Sequence, residues 1–167
     1  SQREDIACVG AKLYYPNKRI QHAGVIIGIY GCTGHSHKYY NFNSNGYFYR
    51  LVSVQNMSAV TAACLMIKTK IYKELNGLDE INLEVAFNDV DFCLRAQEKG
   101  YRNIFTPYCE AYHYESISRG KENTPIKMDR FKREVEYIKK RYSIIFKRGD
   151  PFYNPNLTLI REDFSLK

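Results

Sequence analysis

The sequence predicts an α/β fold, a mixed sheet flanked by helices. Three observations carry that expectation. Apolar runs of strand length recur along the chain, at residues 6–15, 20–30 and the second half of 59–68. Between and after them lie segments with helical spacing, so that strands and helices interleave. And the 167 residues contain no repeat, low-complexity tract or linker that would split them, which suits one domain with a core of its own.

Residues 6–15 form an apolar run that ends at Pro16-Asn17, a strand running into a turn. Residues 20–30 are rich in Val and Ile and predict a second strand, paired with the first as a hairpin through residues 16–19. Residues 31–46 read as a long loop holding His35 and His37, and residues 47–57 leave helix and strand open. Thr69 is placed to cap a short helix through Leu75, closed by Asn76-Gly77.

Asn88 is expected to cap the next helix, which ends at Lys99-Gly100. A short strand at 101–106 is expected to stop at Pro107, with another extended piece at 111–114 and a polar loop at 116–123. Thr124-Pro125 opens the clearest helix, a cap followed by proline in the first turn. Met128, Phe131, Val135, Ile138 and Tyr142 make its apolar face. Residues 151–159 read as an extended tail wrapped over the domain.

Composition bounds the function. A net charge of +7 favours anionic partners, and 15 Tyr favour amphipathic contact surfaces. The five cysteines show no metal-type spacing and sit mostly in apolar runs, which predicts buried free thiols in a reducing compartment. With no secretory signal recognised, a cytoplasmic location is expected, at the inner face of a membrane if membrane-bound at all. The longest apolar runs, 24–31 and 58–67, fall short of the roughly 20 residues a membrane span needs. Aromatic and basic residues coexist without a nucleic-acid motif, so no nucleic-acid partner is expected.

Two clusters suggest chemistry. Asp89 and Asp91 stand where an apolar run gives way to a helix. On a helix they project about 200° apart, so they do not converge on one ion. Asp91 fits the first turn, near the positive end of the helix dipole. Asp89, at the rim, suits a general base facing a cleft. The second cluster, His113 with Glu115 and Arg119, offers a metal ligand and an anion contact. His35 and His37 lack a third ligand nearby. Dinucleotide, Walker, zincin and nucleophile-elbow motifs are absent.

Several blocks resemble family 2 glycosyltransferases of the rhamnosyltransferase and O-antigen type. They are Val9-Gly10-Ala11-Lys12-Leu13-Tyr14-Tyr15-Pro16-Asn17, Ile20-Gln21-His22-Ala23-Gly24, Ser58-Ala59-Val60-Thr61-Ala62-Ala63-Cys64, Phe87-Asn88-Asp89-Val90-Asp91-Phe92-Cys93-Leu94-Arg95, His113-Tyr114-Glu115-Ser116 with Ser118-Arg119-Gly120, and Tyr153-Asn154-Pro155-Asn156-Leu157. They follow one another in the family's order.

The resemblance implies a GT-A fold and transfer of a sugar from a nucleotide-sugar to the hydroxyl of a saccharide or lipid-linked saccharide. It implies inversion and use of Mn²⁺ or Mg²⁺, in surface-polysaccharide synthesis. It makes Asp89 the base, His113 a metal ligand, and Ala62, Ala63, Cys64, Asn88, Asp91, Glu115 and Arg119 substrate-binding. The family's Asp-x-Asp metal motif and nucleotide-binding half are not in these 167 residues. They therefore read as the C-terminal part of a GT-A domain, inactive in isolation, with an open sheet edge that a second copy would pair. The alternative is a non-catalytic module that binds an anionic polymer through its positive charge.

Overall fold

The computed structural model describes residues 3–114 and 124–167. Its centre is β1 (Ile6–Tyr14), buried along nearly its whole length, which is why it reads as a continuous apolar run rather than an alternating one. One edge of β1 pairs antiparallel with β2 (Ile20–His22) toward its end, through the turn at 15–19. The other edge runs parallel to β7 (Arg102–Tyr112). β5 (Gln55–Met57) pairs antiparallel with β7, and β6 (Leu65–Ile67) antiparallel with the first half of β1. The sheet is therefore mixed, and the α/β expectation holds at that level.

Gly10 lets the neighbouring segment lie close on β1. A Cβ there would sit 2.5 Å from Val60 Cβ. Asn103 Nδ2 ties the same region together, donating to Ser58 O at 3.1 Å and to Cys93 O at 2.8 Å.

Several sequence expectations are corrected. The run 20–30 is not one strand. It breaks at Gly24, whose φ is 103° and whose missing side chain leaves room for Met57, and β3 (Val25–Ile27) turns away to pair with β4 (Thr33–His35). The presumed loop 31–46 thus contains a strand. Residues 47–57 resolve into a helical turn at Tyr47–Tyr49 followed by β5.

Pro107 does not stop β7. Gly10 pairs with Phe105 and Lys12 with Glu110, so residues 106–109 bulge opposite Ala11, where the ladder needs no N–H from the proline.

Among the helices, α1 (Thr69–Glu74) starts at Thr69 itself, one residue earlier than expected, with Lys68 at the cap position and no side-chain cap bond. Asn76 and Gly77 both take positive φ and close it, Gly77 N–H reaching Tyr72 O at 2.9 Å. Asn88 is not the cap of α2 (Asn88–Glu98); Phe87 is, with φ 63°. α3 (Pro125–Arg141) is capped as expected, Thr124 Oγ1 accepting from Lys127 N–H at 3.4 Å. Its apolar face is seated only at the C-terminal end. Ile138 and Tyr142 are buried, while Met128 and Phe131 are 49% and 43% exposed.

A short α4 (Ser143–Arg148) follows, which the sequence did not announce. The tail wraps back as expected. Phe164 stacks on His37 with ring centres 4.1 Å apart, and Asp150 accepts from Ile27 N–H at 2.7 Å and Ser58 Oγ at 2.8 Å. Among the described residues no helix is long and apolar enough to cross a membrane.

Candidate active site

Asp89 lies in the first turn of α2, half-buried. Its Oδ1 accepts from Val90 N–H at 2.8 Å, and its Oδ2 accepts from Ala62 N–H at 2.9 Å. Each oxygen keeps a further lone-pair direction, so the carboxylate is oriented without being used up. Ala62, Ala63 and Cys64 form the one-turn helix opposite, with Thr61 Oγ1 accepting from Ala63 N–H at 3.3 Å. The structure thus brings Asp89 and the Ala62–Cys64 turn together, a contact across 27 residues of sequence. Burial and a hydrogen bond with the Cys109 thiol push the Cys64 thiol up.

The approach to α2 is held by α3. Glu134 is buried, and its carboxylate accepts from Val85 N–H at 2.9 Å and Ala86 N–H at 3.2 Å. Arg130 lies 3.7 Å from it. Phe87, in the left-handed region that bulky residues avoid, packs on Phe131 with ring centres 5.6 Å apart. Asn88 is half-buried and donates weakly to Val85 O at 3.5 Å.

Asp91 lies in the first turn of α2 as expected, but it is buried and ion-paired rather than left to the helix dipole. It is 1% exposed, and its carboxylate is met from three sides. Arg95 Nε donates to Oδ2 at 2.7 Å, Tyr142 OH to Oδ1 at 2.6 Å, and Arg141 Nε lies 3.1 Å from Oδ1. Burial, then the bond to Asp91, pushes the Tyr142 phenol up, so it stays a donor. Arg95 is anchored further by the carbonyls of Leu75 and Gly77. A cleft of about 790 Å³ beside this cluster is lined by Leu75, Gly77, Asp79, Asp91, Arg95 and Arg141 among others, and Asp89 is not part of its wall.

His113 follows the end of β7, its N–H bonded to Tyr14 O at 2.9 Å. Its Nδ1 is 2.9 Å from Gln21 Oε1. The amide oxygen only accepts, so Nδ1 is the donor in this contact. Among the described residues no group of three or more His, Cys, Asp or Glu side chains converges as a metal site, so these residues do not by themselves fit a divalent ion. Glu115 and Arg119 lie outside the described residues. His35 and His37 part company. His35 meets His22, and His37 is buried with Nε2 accepting from Tyr47 N–H at 3.0 Å; burial, Arg50 and Lys12 push its pKa down to about 3.

Sequence reasoning missed Gln21, His22, Glu134 and the partners of Asp91. The signal for the first two was present: a Gln-His pair inside a run rich in Val and Ile.

The chain is 55% identical over 166 residues, 99% of its length, to the uncharacterized protein y4gI of Sinorhizobium fredii. It is 32% identical over 182 aligned positions, its whole length, to the O-antigen biosynthesis protein RfbC of Myxococcus xanthus. It spans 18% of the first protein and 13% of the second, under a fifth of each. No family model matches, and no solved structure matches. The chain is thus a mixed α/β segment similar throughout to part of an O-antigen biosynthesis protein.

Proposed function

We propose that the chain is part of an inverting glycosyltransferase with a GT-A fold, acting in surface-polysaccharide synthesis. The observation that carries this is the oriented, half-buried Asp89 carboxylate at the start of α2, in a chain similar throughout to part of RfbC. In this role Asp89 takes the proton from the acceptor hydroxyl. The acceptor oxygen then bonds to the anomeric carbon as the bond from that carbon to the nucleotide's phosphate breaks, releasing nucleoside diphosphate. Inversion needs one base on the acceptor side, which a single carboxylate supplies.

The Ala62–Cys64 turn, exposed at Ala62 and Ala63, forms the wall against which donor sugar and acceptor lie. In this reading His113 would contribute one nitrogen to Mn²⁺ or Mg²⁺, and the remaining ligands would come from outside the described residues. The nucleotide-sugar contacts lie mainly in a part of the domain upstream of these residues. The protein works in the cytoplasm, on a saccharide or lipid-linked saccharide at the membrane's inner face.

The test is nucleoside diphosphate release from UDP-, GDP- and dTDP-sugars by the complete protein carrying this chain, with a lipid-linked saccharide extract as acceptor. Acceptor-dependent release supports the proposal. Its absence with every donor refutes it.

A further inference from the structure

The Ala62–Cys64 turn is held from two directions. Asp89 takes the N–H of Ala62, and on the other side His22, at the end of β2, takes the preceding N–H, that of Thr61, on Nε2 at 3.3 Å. The same Nε2 accepts from Gly24 N–H at 3.2 Å, where the chain turns out of the sheet. His22 is wholly buried.

A ring nitrogen that accepts two N–H groups carries no proton, so the proton of His22 sits on Nδ1. That nitrogen is 2.8 Å from Nδ1 of His35. His22 therefore donates there, His35 accepts, and His35 carries its own proton on Nε2. One tautomer of each ring satisfies these three contacts. Among the other types, leucine fills the volume but accepts nothing, and leaves the Thr61 and Gly24 N–H groups without their acceptor. The carboxamide oxygen of glutamine reaches about as far along the side chain as Nε2 and accepts in the same direction.

We infer that His22 is the positioning residue of the candidate active site: through Thr61 it sets the Ala62–Cys64 turn, and through Ala62 it sets the direction of the Asp89 carboxylate. Its neighbour Gln21 holds His113 at 2.9 Å, so one dipeptide of β2 supports both candidate site residues from opposite faces of the strand. His22 does not touch the reacting atoms. Its effect on transfer presupposes the function proposed above. An ångström of misplacement at a reacting group costs roughly a hundredfold in rate, so the effect falls on kcat rather than on donor binding.

The experiment has two arms. In the first, amide hydrogen exchange by NMR compares the wild type with His22→Leu and His22→Gln. Exchange at Thr61 and Ala62 speeds up at least tenfold in His22→Leu and returns toward the wild-type rate in His22→Gln. Unchanged exchange in a folded His22→Leu overturns the inference, whatever the protein's activity.

In the second arm, nucleoside diphosphate release by the complete protein is measured with the same variants. His22→Leu lowers kcat by roughly a hundredfold with the donor KM within about twofold, and His22→Gln recovers at least tenfold of the loss. Equal kcat in wild type and His22→Leu overturns the inference, as does a glutamine variant no better than leucine. A wild type without turnover, alongside the expected exchange pattern, leaves His22 as the anchor of the turn and refutes the sugar-transfer proposal alone.

Discussion

Replacing Asp91 by asparagine removes the one negative charge that Arg95 and Arg141 share. Breaking a buried ion pair from one side costs roughly 3–5 kcal/mol. Arg141 has a side chain 39% exposed and turns to water at little cost. Arg95, 16% exposed, does not escape so easily, but keeps the carbonyls of Leu75 and Gly77. Asparagine still accepts from Tyr142 OH. The loss therefore falls near the lower end, about 3 kcal/mol. For a chain of this length that lowers Tm by roughly 6–12 °C. Urea titration and thermal melting of the wild type and Asp91→Asn read it directly. Asp89→Asn is the control. Its carboxamide oxygen still accepts from Ala62 N–H, so its stability changes by about 1 kcal/mol or less. A loss below about 1 kcal/mol in Asp91→Asn would mean that the cluster is not the anchor its geometry indicates.

Three further outcomes follow from the packing. Burial depresses the pKa of His22 and His37, so the folded state binds fewer protons than the unfolded chain below the ordinary value. Their stabilisation is present above pH 6.5 and falls toward low pH, by about 1 kcal/mol between pH 7 and 5.5 from His37 alone, with His22 adding in the same direction; urea midpoints that rise on acidification in this range would contradict it, the raised pKa of buried Asp150 and Glu162 acting in the opposite sense. Gly10→Ala drives a Cβ to 2.5 Å from Val60 Cβ and destabilises by about 3 kcal/mol in the same titration, whereas a neutral result would mean that the strand and the 58–61 segment separate freely. Glu134→Ala leaves two N–H groups ahead of α2 without acceptors, and should cost about 2–3 kcal/mol and speed amide exchange at Val85 and Ala86.

The sequence announced those features whose cause is local. β1 was legible because a strand buried on both faces reads as an apolar run, broken here only by Lys12. The start of α3 was legible because Thr124-Pro125 is a cap followed by a fixed φ. Asp89 stood out as a carboxylate at a helix start.

What failed depended on distant partners. Gly24 breaks the second strand because Met57 occupies the space beside it, and nothing between residues 20 and 30 records that. Pro107 is tolerated because β7 bulges there against Ala11. Asp91 resembles any acid in a first helical turn; its partners Arg141 and Tyr142 lie some 50 residues on and reach it only when α3 docks. Half of α3's apolar face, from Met128 to Phe131, reads as core but is exposed. At the candidate site the sequence singled out Asp89, His113 and Ala62–Cys64, while the Ala62 amide that orients Asp89 and the Gln21-His22 pair that braces the site emerged from the fold.

The most direct test of the account is acceptor-dependent nucleoside diphosphate release by the complete protein, wild type against Asp89→Asn, alongside the isolated 167 residues. The wild type should turn over, and Asp89→Asn should lose at least a hundredfold in kcat while binding nucleotide-sugar as before. The isolated chain should show no release. Turnover retained in Asp89→Asn, with the protein folded and donor bound, would contradict the role given to that carboxylate.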